Sequence, residues 1–457
     1  MQRAPPGPYA SRMALFIRAR AVRAHARLPG DVSGAESRHR AGAPGRRAHA
    51  RRRSGRVGAA LGVVGVLLVG AQSAHGTTRA ATDPMASPLT VLARAHGGRF
   101  AVDGSAVVLR GFDYQPLVLT RVAGRSRQYA NETFVTPFYN PTQVVAMLAR
   151  WQAEGYNSVR VFLNPGQIGN PHGAGLSASY VANVADFTKA AAAHGVRTLI
   201  TVGALPAAGR FTPQPERSFG GVNAYYLSPT YIAAQNRYLM ALIAALKQDG
   251  APLVDVLFEL KGEQNWNNSA APLNWKRGNI RTADGQVYNM ASATSRAAME
   301  TGNLVHWANA LAATVHRLVP GSLVGVGVYP PSVKRPKWTV RPQALFTSAT
   351  QTDFVDIHVY PNLGPELTQV TSFGAGATRK PIIMGEFGAT RRTSVPVAVK
   401  QLLAWQTQSC RIGGVSVSGW LLWTWNSSVD TEFWDALADG ALIERALSPQ
   451  SRPDPCR

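Results

Sequence analysis

Lys380-Pro-Ile-Ile-Met-Gly-Glu-Phe-Gly388 is the stretch that decides the fold, since an apolar run ends there on one acidic residue, Glu386. A short apolar run bounded by turn residues predicts a strand buried on both faces. A carboxylate at the end of such a strand is costly to bury unless it has a partner or a chemical task. Val256-Leu-Phe-Glu-Leu-Lys-Gly-Glu263 has the same form. We therefore interpret the rest of the chain as a scaffold that brings Glu263 and Glu386 together.

Strand and helix patterns alternate through most of the chain. Eight runs are predicted to be strands, at 111–114, 158–163, 196–202, 253–260, 323–328, 354–360, 382–386 and 415–425. Most of them precede a segment in which apolar residues recur at helical spacing, and repeated βα units imply a parallel sheet. Eight units favour a closed (β/α)8 TIM barrel over an open sheet. No Gly-x-Gly-x-x-Gly turn follows the first strand, which disfavours a dinucleotide-binding fold.

The amino-terminal part has a different composition. Residues 1–56 contain fourteen arginines and two acidic residues, and we predict a disordered, Arg-rich extension there. Residues 57–76 combine an apolar run with small residues, which is typical of an export signal peptide, and a membrane anchor is the alternative. We predict a linker over 77–92 and the barrel over 93–457, beginning with a β-hairpin around Asp103-Gly104. The protein is therefore expected to be secreted or extracytoplasmic, with residues 57–70 as the anchor if the signal is not cleaved.

Charge and cysteine content exclude several classes of partner. About half of the net charge of +23 lies in residues 1–56, and no basic run or reading motif follows, so we expect no nucleic-acid partner. Cys410 and Cys456 do not have metal-ligand spacing. In an exported protein they would be able to form a disulfide that holds the tail, and two unrelated thiols are the alternative. We predict no metal, no organic cofactor and a monomer whose only membrane contact is the anchor.

The two strand-end glutamates suggest a chemistry. In β/α barrels the active site lies where strands end and helices begin. Two carboxylates across a barrel mouth suit glycosidic bond hydrolysis, because one protonates the leaving oxygen while the other attacks the anomeric carbon or activates water. A separation of about 5–5.5 Å leads to retention and about 6.5–9.5 Å to inversion. A structural ion pair is the alternative for either glutamate.

The ordered set of motifs resembles glycoside hydrolase family 5 and the wider clan of barrel glycosidases that includes cellulases and mannanases. Phe258-Glu-Leu-Lys-Gly-Glu263 is similar to the strand-four motif that carries the acid/base, and Pro381-Ile-Ile-Met-Gly-Glu-Phe-Gly388 to the strand-seven motif that carries the nucleophile. The resemblance spans about residues 97–435. It implies a retaining β-glycosidase in which Glu263 is the acid/base and Glu386 the nucleophile.

The resemblance also implies substrate contacts. Gly155-Tyr-Asn-Ser-Val-Arg160 resembles the strand-two motif, whose arginine supports the nucleophile, and Asp356-Ile-His-Val-Tyr360 resembles strand six, whose His and Tyr contact the sugar and the nucleophile. Gly419-Trp-Leu-Leu-Trp-Thr-Trp425 resembles strand eight, in which Trp423 would stack on a pyranose ring. The predicted substrate-binding residues are Arg160, His358, Tyr360, Trp423, Asp113, Gln264 and Trp266.

One departure from the family pattern bears on function. Gly262 stands where the family has the asparagine that contacts the sugar 2-hydroxyl, and Gln264 or Asn265 would have to replace it. Glu259 and Lys261 alternate in phase with Glu263, so we expect them to line the barrel interior as a pair. Our first hypothesis is an exported glycoside hydrolase that cleaves β-glycosidic bonds of a poly- or oligosaccharide. The alternatives are a carbohydrate-binding protein without turnover, which the loss of the asparagine favours, and a surface-anchored interaction protein.

Overall fold

The computed structural model describes eleven parts of the chain. They are residues 87–94, 97–122, 125–170, 173, 175–206, 208–214, 216–329, 338–360, 378–412, 414–426 and 432–456, with the backbone alone for 117–131. The predicted extension, signal or anchor, and most of the linker lie outside these residues, as does a weak helix predicted over 366–373. Among the helices within the described ranges, none is both long and apolar enough to cross a bilayer.

Eight parallel strands form a closed barrel, so the predicted TIM barrel is confirmed. Each strand pairs with the next in sequence, and β8 pairs with β1 to close the ring. The strands are β1 Leu109–Tyr114, β2 Ser158–Phe162, β3 Arg197–Thr201, β4 Val256–Glu259, β5 Val324–Val328, β6 Phe354–His358, β7 Ile382–Phe387 and β8 Gly419–Leu422. The eighth strand is shorter than the predicted run 415–425.

Helices cover the outside of the barrel. They are α1 Pro141–Ala153, α2 Ala178–Ala193, α3 Pro229–Gln248, α4 Ala293–Leu318, α5 Val395–Ser409 and α6 Ala438–Leu447. Asn140, Ser177, Ser228 and Ser292 cap the first four helices, because each side chain accepts a backbone N–H of the first turn. After β5 the described chain has a 3-10 helix, Gln343–Phe346, in place of an α-helix.

The amino-terminal hairpin closes the bottom of the barrel. Arg99–Val102 pairs with Ser105–Val107, as predicted, and Asp103 and Gly104 make the turn with φ of 50° and 75°. Thr90–Leu92 adds a third strand to this sheet, so the end of the predicted linker is in fact folded. Buried apolar side chains of the hairpin and of the barrel strands form one cluster here: Leu89, Phe100, Leu109, Leu199, Leu257, Leu323, Phe354, Ile383 and Leu421. The lower half of the interior is therefore apolar.

A disulfide joins the end of α5 to the carboxyl-terminal tail. Cys410 and Cys456 are bonded across 46 residues of sequence, and neither is a free thiol. Of the two alternatives left by the sequence, the structure therefore has the disulfide.

Candidate active site

Glu263 is held at the barrel mouth by hydrogen bonds between neighbouring loop and strand backbones. The Gly327 N–H of β5 donates to the Lys261 carbonyl at 2.7 Å, and the Gln264 N–H donates to the Gly327 carbonyl at 2.9 Å. A Cβ at Gly327 would lie only 2.0 Å from the Gly262 carbonyl oxygen, so a glycine is required for this close approach. The Glu263 side chain, 43% exposed, faces the mouth from this turn.

Glu386 lies near the end of β7 and is nearly buried, with its side chain 11% exposed. Its Oε1 accepts a hydrogen bond from Arg160 Nη1 at 2.6 Å, and its Oε2 accepts one from the Tyr360 hydroxyl at 2.5 Å. Burial and the neighbouring carboxylate raise the pKa of Tyr360 well above its ordinary value, so this phenol remains a donor. Both contacts expected from the sequence are therefore present, and the catalytic roles stay predictions.

His358 lies between the two glutamates. Its Nδ1 is 3.3 Å from Glu263 Oε1 and 3.4 Å from Glu386 Oε1, and the ring is fully buried. Although burial opposes the charged form, the carboxylate of Glu386 raises the pKa of His358 well above its ordinary value. An imidazolium here links the two carboxyl groups. One ligand atom from each of the three residues lies within 4.8 Å of the others.

A buried cluster of charged groups lies beneath the mouth and is centred on Arg160. Its Nε and Nη2 donate to Glu259 Oε2 at 3.0 and 2.8 Å, and its Nη1 is 3.1 Å from Asp113 Oδ1. Its Nε also lies 3.6 Å from Asp356 Oδ2. Although burial opposes a charged guanidinium, these carboxylates raise the pKa of Arg160, and it stays protonated.

The cluster differs from the sequence interpretation in two respects. Glu259 contacts Arg160 at 2.8 Å, while Lys261 Nζ lies over the Tyr225 ring, 5.4 Å from its centroid. Asp356 was quoted only as part of a motif, although it alternates with His358 on one face of β6, and Tyr360 continues the same spacing just beyond the strand. That alternation was the signal which could have identified Asp356.

Gly262 lies against this cluster. A Cβ built at Gly262 would be 2.9 Å from Arg160 Nη2 and 3.4 Å from Thr201 Cγ2. The position before the acid/base therefore has no room for a side chain unless Arg160 moves. Position 262 is a glycine because the Arg160 guanidinium, which donates to Glu259, occupies the space that a side chain there would need.

All seven predicted substrate contacts are buried in the structure, and Arg160, His358 and Tyr360 are the ones that contact the two glutamates. Asp113, Gln264 and Trp266 are 0% exposed, and Trp423 is 2% exposed. Asp113 contacts Arg160, Trp266 packs on Tyr226 with ring centroids 4.7 Å apart, and Trp423 packs edge-to-face on Phe162 at 5.8 Å. Neither side-chain amide atom of Gln264 has a hydrogen-bond partner within the described part of the chain. The structure therefore brings Arg160, His358 and Tyr360 to the glutamates, whereas the contacts given above for Asp113, Trp266 and Trp423 are with other side chains.

Two overlapping sets of side chains bring together atoms of the kind that bind metal ions. They are Glu263 with His358 and Glu386, and Glu259 with Asp356 and His358. The guanidinium of Arg160 contacts a carboxylate of each set, and a permanent cation there disfavours a second one. We therefore assign neither set to a metal.

Comparison with known proteins supports the fold. No protein-family model matches the sequence, and no curated protein matches it. An endo-1,4-β-mannanase from Rhizomucor miehei superposes with a TM-score of 0.52 at 13% identity, over 79% of this chain and 98% of that one. A β-1,4-D-mannanase from Cryptopygus antarcticus gives 0.48 at 17% identity, over 79% and 95%. An exo-β-1,4-mannosidase from an Opitutaceae bacterium superposes with a TM-score of 0.47 at 15% identity over 75% of this chain. The superposition covers 55% of the length of that enzyme.

Proposed function

We propose that the protein is a glycoside hydrolase that cleaves β-glycosidic bonds of a poly- or oligosaccharide with retention of configuration. The observation that supports this most directly is the pair of carboxyl groups at the barrel mouth, since one oxygen of Glu263 and one of Glu386 lie within 4.8 Å of each other beside His358. Retaining glycosidases keep their two carboxyl groups about 5–5.5 Å apart, whereas inverting enzymes need about 6.5–9.5 Å to accommodate a water. The resemblance to glycoside hydrolase family 5 assigns the same two residues.

In the first half-reaction, the Glu263 carboxyl group donates its proton to the leaving glycosidic oxygen while a Glu386 oxygen attacks the anomeric carbon. The carbon–oxygen bond to the leaving group breaks, and a glycosyl ester with Glu386 forms. In the second half-reaction, Glu263 removes a proton from water, and the water oxygen displaces the Glu386 carboxylate. Two inversions at one carbon give net retention.

The neighbours of Glu386 fit the part of a nucleophile. The Arg160 guanidinium and the Tyr360 hydroxyl contact different oxygens of the carboxylate. Both stabilise the anion before attack and fix its orientation. The more exposed Glu263 can reach both a leaving oxygen and solvent water, as an acid that later acts as a base must.

The cellular setting is also a proposal. The basic segment and apolar run before residue 77 support export, with a membrane anchor as the alternative. We propose a monomeric, secreted or extracytoplasmic enzyme that requires no cofactor and acts on carbohydrate. Mass spectrometry of the exported protein tests this: a new amino terminus near residues 73–76 supports cleavage, an intact apolar run supports the anchor, and cytoplasmic retention contradicts both.

The proposed activity is tested by hydrolysis of a panel of β-glycosides and β-linked polysaccharides, with β-1,4-mannan included because a fold neighbour is a mannanase. We expect turnover by the wild type, the β-anomer as the first product in proton NMR, and a large loss in Glu386→Gln. For Glu386→Ala, added azide should restore cleavage and yield the α-glycosyl azide. First formation of the α-anomer would contradict retention. Binding of a glycan without any turnover would favour the carbohydrate-binding alternative.

A further inference from the structure

Two acidic side chains face each other below the mouth. Glu259 and Asp356 are both 0% exposed, and one oxygen of each lies within 4.8 Å of the other and of a His358 ring nitrogen. Among the residues that the structure describes, Glu259 Oε1 and Asp356 Oδ2 have no hydrogen-bond partner. Two facing carboxylates repel each other in a buried site, whereas an acid and a carboxylate attract.

The charge of the whole cluster leads to the same conclusion. Arg160 and His358 contact four buried carboxyl groups: Asp113, Glu259, Asp356 and Glu386. Buried charge without compensation is costly, and the carboxyl groups outnumber the cations even when the buried Lys261 is included, so protonation within the cluster is favoured.

The surroundings decide which groups carry the protons. Burial raises the pKa of Glu259 to about 7, although Arg160 opposes the shift. Burial likewise raises the pKa of Asp113 well above its ordinary value. Although burial also acts on Asp356, the neighbouring charges of His358 and then of Arg160 lower its pKa. Asp356 Oδ1 also accepts the Gly385 N–H at 2.7 Å. Asp356 is thus the ionised member of its pair.

We propose that Glu259 and Asp356 share one proton, held on Glu259, and that the neutral Glu259 is a positioning residue for the glutamates at the mouth. Its catalytic consequence rests on the proposed function. While Glu259 is neutral, Arg160 directs its charge to Glu386. When Glu259 ionises, a second carboxylate competes for Arg160, and His358 is drawn towards the pair and away from Glu263.

Side chains from several neighbouring strands face the Glu259 carboxyl group. Thr201 Oγ1 of β3 donates to Glu259 Oε2 at 2.5 Å, and Gly327 of β5 has no side chain to intervene. The titratable and charged groups that face Glu259 are Arg160 from β2 and both Asp356 and His358 from β6. Asp113 from β1 contacts the far side of Arg160, and Lys261 lies two residues after Glu259 in the sequence.

Carbon NMR of the carboxyl groups tests the proton directly. The full chain is labelled at the Glu side-chain carboxyl carbon, and Glu259→Gln identifies the Glu259 signal by its loss. We expect this signal to titrate with a midpoint near 7. A midpoint in the ordinary glutamate range, about 4.3, would overturn the proposal. Neither result depends on turnover.

Two amide variants provide a matched comparison by thermal unfolding. Glu259→Gln mimics the protonated acid, because its oxygen can accept from Arg160 while its NH2 donates to Asp356. Asp356→Asn removes the ionised member of the pair. Its side-chain NH2 group then faces the protonated Glu259, so that two hydrogen-bond donors face each other. The raised pKa makes wild-type stability fall as pH rises from 4.5 to about 7, while the Gln variant has nothing to titrate there. The melting temperature of Glu259→Gln relative to wild type should therefore rise over this range, and Asp356→Asn should be less stable throughout. The reverse order of the two variants would refute the assignment.

The catalytic consequence is read from the pH dependence of kcat/KM. We expect an alkaline limb in the wild type that follows the Glu259 NMR midpoint and is shifted or absent in Glu259→Gln. An unchanged limb with a confirmed midpoint would refute the positioning role while leaving the shared proton intact. Absence of turnover in the wild type would instead contradict the proposed function, while the NMR result would stand.

Discussion

Removal of the Arg160 cation should destabilise the protein in a pH-dependent way. Arg160→Met keeps a long apolar side chain but leaves Asp113, Glu259, Asp356 and Glu386 without the guanidinium that contacts all four. The Arg160 side chain is 0% exposed, so water does not replace the lost contacts. The variant therefore isolates the value of one buried charge.

The size of the effect follows from this burial. Breaking a buried ion pair by removing one partner costs about 3–5 kcal/mol. Folded domains are stable by about 5–15 kcal/mol, so the variant should lose at least about a fifth of its stability. Without the cation, the folded state binds protons more tightly than the unfolded state. The loss should therefore be smaller near pH 5 and grow as pH rises towards 7.

Urea unfolding at about pH 5 and about pH 7.5 measures this difference. We expect a lower midpoint for Arg160→Met at both values, with an unchanged slope and a larger gap at the higher pH. Arg277→Met, at an exposed position, is the matched control and should stay within about 0.5 kcal/mol of wild type. Equal midpoints for Arg160→Met and wild type, or a gap that shrinks as pH rises, would refute the charge assignment.

Three further changes probe the tail and the cluster. Replacing Cys410 and Cys456 by Ser releases a constraint across 46 residues and should cost about 4 kcal/mol in the chain-entropy description, measured as a lower urea midpoint that reductant no longer changes. Thr201→Val removes the hydroxyl that donates to Glu259 and should cost about 1–3 kcal/mol, whereas Thr201→Ser should keep most of the stability in the same assay. Gly262→Asn should lower both the melting temperature and kcat/KM, because the new Cβ would meet Arg160; higher activity would show that the missing asparagine, not space, limits the site.

The order of the barrel strands and the pairing of the catalytic candidates could be predicted from the sequence. Parallel strands end on one face, so Glu263 and Glu386 had to meet once eight βα units were recognised. The spacing along β6 likewise placed His358 and Tyr360 on the same face. These predictions depended on periodicity and strand direction, which are local properties of the chain.

The burial of the residues around the site could not be predicted in this way. Gln264 and Trp266 follow Glu263 in a loop, and loop side chains have no fixed period that assigns them to the mouth or to the core. Gln264 is enclosed because its backbone pairs with Gly327 on a different strand, a contact invisible to sequence periodicity. The partner of Glu259 was missed for the same reason, since the nearer candidate in sequence was Lys261 and the nearer in space is Arg160.

The missing asparagine and the buried acid pair are two aspects of one arrangement. Arg160 turns its Nε and Nη2 edge towards Glu259, and Nη2 then occupies the space that a side chain at position 262 would enter. A protein with this arrangement keeps the Arg160 contact to Glu386 but gives up the sugar contact that an asparagine would make. Under the proposed function, recognition of the sugar 2-hydroxyl then comes from another part of the mouth. On that proposal, the preference among sugars that differ at C2 should depart from that of the cellulases and mannanases that the sequence motifs resemble.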